Sequence, residues 1–327
     1  MMAIRRHWIV GPGALGRLIG LRLAARSEAP GDVTLIGRRR LHAHQTLVTP
    51  EGKHLSGTLT VAEIGDPPPL TPDAVHLATK AYAAEAAHAA LAPHLADGTP
   101  LVLWQNGFDC QPRLSETHAG PVLCATTTEG AYVENDRRVV HAGHGQTLIG
   151  ALDGRHTGLA GALAAALSGA GLPTRAVDDI RQRLWQKLAV NAAINPLVAR
   201  FRIRNGQLRD RPFRPMVEEI IAEVAAILAA EGIAPPDAEG SQPGRNSSAE
   251  GLEGWRALVW RVVGGTANNR ASMLQDVLAG RPTEYRAILG PLLARAVYHG
   301  LDAPRLAALE AELCCQATNL AKSDSRC

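Results

Sequence analysis

A glycine-rich segment near the start of the chain constrains the fold most strongly. Residues His7–Val10 predict a short apolar strand, residues 11–16 (GPGALG) follow at once, and an amphipathic run continues to residue 26. In this context the first glycine permits a tight turn, the second lets backbone approach a pyrophosphate, and the third lets helix pack on strand. A helix N-terminus also favours an anion. Dinucleotide binding is therefore favoured over a structural turn, with predicted cofactor contacts Gly11, Pro12, Gly13, Ala14, Leu15 and Gly16.

The segment after the second predicted strand indicates which dinucleotide is bound. The strand at 33–36 ends in Gly37, and Arg38, Arg39 and Arg40 follow. Enzymes that prefer NAD usually place an acidic residue here to hold the ribose 2′-hydroxyl. A guanidinium suits a 2′-phosphate instead, so we expect NADP(H), held by Arg38. The alternative is a solvated basic loop.

Two further apolar strands, 74–78 and 101–104, end in polar residues. Lys80 follows the first and Asn106 follows the second. Because the carboxyl ends of parallel strands line the ligand crevice of a doubly wound sheet, both side chains are expected near the cofactor. Each is also compatible with a plain turn, Asn106-Gly107 especially. Strands at 122–126 and 174–177, a strand pair within 139–149 and a helix at 159–169 complete a predicted α/β domain.

The pattern changes at Asp178, beyond which the periodicity is helical. We therefore predict an α/β fold: a Rossmann-type doubly wound sheet for NADP binding (1–177), then an all-helical substrate and catalytic domain (178–327). Residues 232–252 are rich in Pro, Gly and Ser and predict a mobile loop. The six arginines of 200–214 indicate a solvated rim.

Composition excludes several function classes. The net charge is +3 and aromatic residues make up 4%, which gives no case for a nucleic-acid partner. The longest mildly apolar run, 159–172, is too short to span a membrane, and the N-terminus lacks the apolar region of a signal peptide. An odd number of cysteines without metal-type spacing indicates a reduced compartment and no metal site. We expect a cytoplasmic protein. The cysteines are Cys110, Cys124, Cys314, Cys315 and Cys327.

One polar stripe stands out on the first helix of the second half. Lys187, Asn191 and Asn195 recur every four residues, which keeps all three within roughly 80° of one another on a helix. Spacing alone is also compatible with a solvated helix face. The preceding dinucleotide motif favours a site that holds one amine and two amides.

Several motifs in order resemble the ketopantoate reductase (2-dehydropantoate 2-reductase) family over nearly the whole chain. They are GPGALG at 11–16, ATKAY at 78–82, QNG at 105–107, TTTEGA at 126–131, RLWQKLAVNAAINPL at 183–197, RNGQL at 204–208 and SMLQDVLAGRPTE at 272–284. The resemblance implies a Rossmann domain followed by a helical domain. It also implies reduction of ketopantoate to pantoate by NADPH, on the route to pantothenate and coenzyme A.

By matching position, the resemblance implies roles for individual residues. Lys187 is the expected general acid, and Asn106 the residue expected between the two ligands. Glu284 is expected at both substrate and nicotinamide. The further expected substrate contacts are Asn191, Asn195, Asn205 and Ser272, and the further expected cofactor contacts are Arg38, Lys80 and Ala131. Ala271 replaces a second serine that is frequent in the family.

These residue types suit the chemistry. Hydride delivery to a ketone builds negative charge on its oxygen, so a site needs a proton donor and fixed hydrogen-bond donors there. Lys187 offers both, and Glu284 is an acceptor for the substrate 4-hydroxyl. The structural alternatives are a surface lysine, a first-turn acid at Glu284 and a helix N-cap at Ser272.

Two other functions share these features. One is a sister reductase with the same cofactor and Lys187 but another 2-keto acid. The other is a non-catalytic NADP(H)-binding sensor. The apolar helical half is compatible with a homodimer, although no heptad pattern commits the chain to one.

Overall fold

A computed structural model describes residues 4–26, 32–236 and 248–324. The chain divides into two compact units. The first comprises Met1–Asn106 and Cys110–Arg183, and the second comprises Gly107–Asp109 and Leu184–Cys327. The predicted division at residues 177 and 178, with a function for each part, stays a prediction.

Strands lie in the first unit. They are β1 (His7–Val10), β2 (Val33–Gly37), β3 (His44–Val48), β4 (His54–Thr58), β5 (Thr60–Glu63), β6 (Ala74–Leu77), β7 (Leu101–Leu103), β8 (Val122–Thr127), β9 (Gly130–Asn135), β10 (Arg138–Gly143), β11 (Thr147–Gly150) and β12 (Thr174–Ala176).

Helices occur throughout the described ranges. They are α1 (Ala14–Ala24), α2 (Ala84–Leu91), α3 (Cys110–Thr117), α4 (Thr157–Gly169), α5 (Ile180–Phe201), α6 (Phe213–Ala230), α7 (Ser248–Gly265), α8 (Ser272–Leu278), α9 (Tyr285–Tyr298) and α10 (Pro304–Asp324), with 3₁₀ helices at Ala81–Ala83, Ala92–His94 and Asn205–Arg209.

The main sheet of the first unit has eight strands in the order β12-β11-β8-β7-β6-β1-β2-β5. All neighbours pair in parallel except β11 and β8. After β1 the chain adds β2 and β5 on one side and then returns to add β6, β7 and β8 on the other. Strand β1 is fully buried, with Ile9 at 0% exposure, as expected for a central parallel strand. The predicted fold class, a doubly wound parallel sheet followed by helices, is confirmed.

A second sheet, in the order β4-β3-β10-β9, was not predicted. Its strands mix small, polar and apolar residues, and β4 is at most half-buried along its length. Helix α1 packs against β3, β4, β9 and β10 as well as against β1 and β2. Because α1 packs against both sheets, apolar residues on most sides of the helix are buried, among them Leu18 and Ile19 at 0% exposure.

The second unit is helical over its described residues. The predicted mobile loop at 232–252 falls largely on residues 237–247, which lie outside the described ranges. Its C-terminal bound was wrong, because α7 begins at Ser248. Cys110, Cys124, Cys314 and Cys315 are free thiols, and Cys327 lies outside the described residues. Among the helices of the described ranges, none is long and apolar enough to cross a bilayer.

Candidate active site

The strand register of the first unit brings four strand ends to one edge of the main sheet. Val10 of β1 pairs with Ile36 of β2 on one side and with Leu77 of β6 on the other. Leu77 in turn pairs with Leu103 of β7. Because these pairings are parallel, the residues that follow the four strands emerge at the same carboxyl edge, next to the point where the strand order reverses.

Four predicted cofactor residues follow those strand ends. Gly11 comes after β1, Arg38 after β2, Lys80 after β6 and Asn106 after β7. Arg38 is exposed, whereas Lys80 and Asn106 are half-buried. The structure therefore collects at one edge the residues that the sequence predicted from separate segments.

The glycines of the first turn meet steric needs that the sequence predicted. Gly11 has a φ of 89°, and a Cβ there would lie 2.5 Å from the backbone nitrogen of Thr79. A Cβ on Gly16 would lie 2.3 Å from the Gly11 carbonyl oxygen. Gly13, the N-cap of α1, has open space where its Cβ would be. This turn leaves room for a phosphate at a helix N-terminus, although the contacts of residues 11–16 stay predictions.

A buried arginine that the sequence analysis missed fixes this turn. Arg17 is 3% exposed. Its Nε donates to the Pro12 carbonyl at 3.0 Å, and its Nη1 donates to the Asn135 carbonyl at 2.9 Å. The arginine therefore ties the glycine-rich turn to strand β9. Its only sequence signal was an arginine on the apolar side of an amphipathic helix.

Two arginines of the triplet after β2, Arg38 and Arg39, differ in their contacts. Arg39 forms an ion pair with Asp136 at 2.7 Å, and this contact raises the pKa of the Arg39 guanidinium. Arg38 has no hydrogen bond or ion pair with another described residue. Arg38 is thus available to a ligand phosphate at the carboxyl end of β2, as its predicted role requires.

Gln105 of the QNG motif has a structural role that was not predicted. Its side chain is 3% exposed. Its Nε2 donates to the carbonyls of Leu77 and Thr79, at 2.8 and 3.2 Å. The end of β7 is thereby fixed to the segment that leads to Lys80.

Ala131, a predicted backbone contact for the cofactor, lies on β9 opposite His141 of β10. A network of polar side chains lies at the start of β9. The Nε2 of His141 lies 2.6 Å from Glu129, whose carboxylate also accepts the Gly145 N–H at 2.9 Å. Both side chains of the His141 and Glu129 pair are essentially buried. The network therefore fixes the loop that enters β9.

The same network includes a set of metal-ligand types. Ligand atoms of Glu129, His141 and His144 lie within 4.8 Å of one another. However, the Arg22 Nη2 lies 3.0 Å from the Nδ1 of His141. Because a guanidinium only donates, Nδ1 must accept, which places the single imidazole proton on Nε2, facing Glu129. Hydrogen bonding thus occupies both ring nitrogens, and it explains the group without a metal.

In the second unit, α5 carries the predicted polar stripe. Lys187, Asn191 and Asn195 all lie within this helix, so the four-residue spacing does place them on one side of it. Asn195 is 7% exposed, and Lys187 and Asn191 are half-buried. Pro196 lies inside the same helix and lacks an N–H, so it cannot donate the usual helical hydrogen bond to the carbonyl of Ala192. The stripe is therefore not a solvated helix face.

The environment of Lys187 makes it a weak acid near neutral pH. Burial disfavours the ammonium and lowers the pKa of Lys187 to about 8. The carboxylate of Glu284 acts in the opposite direction and favours the ammonium. Glu284 is 7% exposed, so both groups interact in surroundings that screen charge less than water does. The structure thus brings together the predicted proton donor and the acidic residue that was predicted at the substrate and nicotinamide.

The helix starts exclude the structural alternative for Ser272 but not the one for Glu284. Glu284 is the N-cap residue of α9, and its side chain makes no cap hydrogen bond. Ser272 is the first residue of α8, whose N-cap is Ala271, so the N-cap alternative for Ser272 is wrong. Ser272 is exposed.

Asn205 is held by the turn between α7 and α8. It is 6% exposed, and its Nδ2 donates to the Thr266 hydroxyl at 2.9 Å. Its backbone N–H donates to the Asn269 carbonyl at 3.1 Å, and the Gly206 N–H donates to the Ala267 carbonyl at 2.9 Å. The RNGQL motif is thereby fixed to the turn that leads to Ser272.

Gly107, beside Asn106, meets α9 of the same unit. Its φ is 89°, and a Cβ there would lie 2.1 Å from the Ala287 carbonyl oxygen. Pro291 lies four residues beyond Ala287 and has no N–H to offer that carbonyl. Only glycine fits against this part of α9, so the glycine of the QNG motif is a packing requirement as well as a turn residue.

Comparison with known proteins agrees with this architecture. The family model "Ketopantoate reductase PanE/ApbA" matches residues 8–154, and "Ketopantoate reductase PanE/ApbA C terminal" matches residues 179–313. A 2-dehydropantoate 2-reductase of Vibrio cholerae is 35% identical over 92% of this chain and 94% of its own length.

Two solved structures share the fold. One is a PanE/ApbA family ketopantoate reductase from Ralstonia eutropha JMP134, with a TM-score of 0.80 and 23% identity. The other is D-mandelate dehydrogenase with NADH and anilino(oxo)acetate, with a TM-score of 0.80 and 22% identity. Each alignment covers 96% of this chain and 99% of the other.

The glycine-rich turn at the carboxyl edge of the sheet is typical of dinucleotide binding, and together with the matches above it defines the class as a nicotinamide-dependent oxidoreductase. The chain belongs to the ketopantoate reductase family. The predicted resemblance and the predicted enzyme class, an oxidoreductase acting on a CH–OH group, are therefore confirmed.

Proposed function

We propose that this chain reduces 2-dehydropantoate to (R)-pantoate with NADPH, with Lys187 as the proton donor, as a step towards pantothenate and coenzyme A. The observation that carries the proposal is the amine of Lys187 on α5, which burial tunes to a pKa of about 8 beside Glu284. When the pKa of an acid lies near the working pH, a large fraction of the acid is protonated and proton transfer from it is still favourable. The membership of the family supports the same reaction.

The cofactor is held at the carboxyl edge of the main sheet. Residues 11–16 and Ala131 contribute backbone, Arg38 contacts the 2′-phosphate, and Lys80 and Asn106 contact the remaining parts of the cofactor. The open space at Gly13 fits such a ligand, as does the exposed Arg38, which has no partner among the residues that the structure describes. When bound, NADPH supplies the hydride that reduces the 2-keto carbon.

The helical unit holds the keto acid and completes the proton balance. Asn191, Asn195 and Ser272 orient the substrate, and Lys187 first stabilises the growing negative charge on the carbonyl oxygen. It then transfers one proton to that oxygen and becomes a neutral amine. Because the amides are uncharged, they add hydrogen bonds without lowering the acidity of Lys187 as a second carboxylate would.

Replacing the amine tests the proposed proton donor. Lys187→Met keeps much of the side-chain length but removes the proton, so we expect kcat for 2-dehydropantoate to fall by about 10²–10⁴. The affinity for NADPH, measured by fluorescence titration, should change little. The matched control is Lys53→Met at an exposed site. A Lys187→Met enzyme with nearly full kcat would refute the role.

Replacing the arginines tests the cofactor. Arg38→Ala should raise KM for NADPH by about tenfold or more and leave KM for NADH nearly unchanged, since only NADPH carries the 2′-phosphate. Arg39→Ala should do less, because Asp136 already holds Arg39. Equal effects of Arg38→Ala on both cofactors would contradict NADPH selection. The homodimer with which the apolar helical half is compatible is testable by light scattering of the same preparations.

A further inference from the structure

Arg17 of α1 is a buried cation whose hydrogen-bond acceptors are all neutral. Only 3% of the residue is exposed. Its guanidinium donates to the carbonyls of Pro12 and Asn135, and its Nη1 also lies 3.4 Å from the side-chain oxygen of Gln45. The Gln45 amide is fixed in this orientation, because its Nε2 donates to two backbone carbonyls, at 2.7 and 3.1 Å. The charge of Arg17 is therefore surrounded by groups that are polar but uncharged.

The protein supplies this cation with no direct counter-charge. Among the residues that the structure describes, Arg17 forms no ion pair. Burial disfavours its charged form and so lowers the pKa of the guanidinium. The carboxylate of Asp136 acts in the opposite direction, but it lies 2.7 Å from Arg39 and pairs with that residue. Because a buried charge without a counter-charge is costly, an anion that binds beside Arg17 would be strongly stabilised.

The position of the guanidinium identifies that anion. Its Nε lies 3.0 Å from the carbonyl of Pro12, inside the glycine-rich turn. Side chains of a helix lean towards its N-terminus, which carries the charge of Arg17 back to the start of α1. Gly13, the N-cap residue there, has open space where its Cβ would be. The partial positive charge of the helix start and the full charge of Arg17 thus lie together, where the proposed cofactor has its pyrophosphate.

We propose that Arg17 supplies the buried positive charge that compensates the cofactor pyrophosphate, so that it contributes equally to the binding of NADPH and NADH. Arg38 differs from it, because the 2′-phosphate is present in NADPH alone. This inference rests on the proposed function for the identity of the cofactor, and it is independent of which keto acid is reduced.

Two fragments of the cofactor separate the two positive charges. ADP-ribose carries the pyrophosphate without the 2′-phosphate, and 2′-AMP carries the 2′-phosphate without the pyrophosphate. Arg17→Gln keeps an amide donor but removes the charge, so its Kd for ADP-ribose, measured by calorimetry, should rise by about 10- to 100-fold. Its Kd for 2′-AMP should change little, and its Kd values for NADPH and NADH should rise by the same factor. Arg38→Ala should show the reverse pattern with the two fragments.

Three further variants separate charge from structure. Arg17→Lys keeps the charge without the planar fork of donors, so it should recover most of the ADP-ribose affinity that Arg17→Gln loses. Gln45→Glu leaves Arg17 in place and offers it a carboxylate instead of the neutral oxygen, so it too should weaken ADP-ribose binding. Arg113→Gln, on α3 of the same unit, should leave both affinities unchanged, because its guanidinium pairs with Glu85 at 2.7 Å on the surface. Thermal melts of each variant check that it is folded.

Several results would overturn the proposal. Equal losses of ADP-ribose and 2′-AMP affinity in Arg17→Gln would show that Arg17 only holds the turn in place. Wild-type affinity for ADP-ribose in Arg17→Gln, or an Arg17→Lys variant no better than Arg17→Gln, would show that the charge is not used. A wild type that binds ADP-ribose in the predicted pattern but reduces no keto acid would refute the proposed reaction and still support the role of Arg17.

Discussion

The pH dependence of catalysis follows from the environment of Lys187. In the proposed mechanism, reduction consumes a proton from the Lys187 ammonium, whose pKa is about 8. Above that pH the protonated fraction falls by about tenfold for each pH unit, so kcat for reduction should fall with the same slope. Oxidation of pantoate would need the neutral amine, so its rate should rise as the pH increases to about 8 and level off above that pH.

Removing the charge of Glu284 should move this profile in a known direction. The carboxylate raises the pKa of Lys187, so Glu284→Gln should lower it. An opposite charge close to a buried group commonly shifts its pKa by about one unit or more. The decline in reduction should then begin about one unit lower, and the variant should lose most of its rate at pH 8 while keeping more of it at pH 6.5.

The assay is NADPH oxidation followed at 340 nm from pH 6 to 10 with saturating 2-dehydropantoate. The matched control is Glu253→Gln, an exposed glutamate of the same unit, which should leave the profile in place. Thermal melts at each pH separate loss of protonation from loss of fold. A flat wild-type profile between pH 7 and 10, or a profile moved upward by Glu284→Gln, would refute the argument.

Two stability predictions follow from packing. Gly107→Ala combines a positive φ with a steric clash and should lower the free energy of unfolding by about 2–5 kcal/mol. Gly300→Ala has a positive φ (64°) in open space and should lower it by about 1–2 kcal/mol. Equal losses of Tm in the two variants would contradict the clash at Gly107. His7 lies 3.0 Å from His76, and burial lowers the pKa of His7 to about 4. As the pH falls, His7 is therefore protonated in the unfolded state before it is protonated in the folded state. The free energy of unfolding should decrease as the pH falls from about 6.5 to 4, by up to about 1.4 kcal/mol per pH unit. His7→Leu should flatten this part of the urea-unfolding profile, and an unchanged profile would refute it.

The fold was predictable where local pattern and backbone geometry agree. The apolar runs of β1, β2 and β6 are short, fully buried strands, and each is followed by residues whose steric needs are visible in sequence, Gly11 above all. The second sheet was not predictable in the same way. Its strands are partly exposed, and neither strict alternation nor a continuous apolar run marks them. The central pairing, of β3 with β10, also joins segments that are far apart in the chain.

In the candidate site, too, features set by local sequence were predictable and features set by long-range contacts were not. The spacing of Lys187, Asn191 and Asn195 predicted a shared helix side, because the period of a helix is fixed by its backbone. The contacts of Arg17 with Asn135 and of Asn205 with Thr266 join residues that are 118 and 61 positions apart. Such pairs are set by tertiary packing, which one sequence does not reveal. Pattern therefore predicted the candidate reacting groups, and the structure showed which contacts hold the segments that carry them.

The most direct test of the account is the rate of NADPH oxidation by the wild-type chain with 2-dehydropantoate, beside pyruvate and 2-ketoisovalerate at equal concentrations. We predict a kcat/KM for 2-dehydropantoate at least 100-fold above either of the other acids, with NADPH strongly preferred over NADH. Turnover of 2-dehydropantoate no faster than of pyruvate would contradict the account and favour a sister reductase with another substrate. Tight NADPH binding without turnover of any keto acid would contradict it in favour of a sensor.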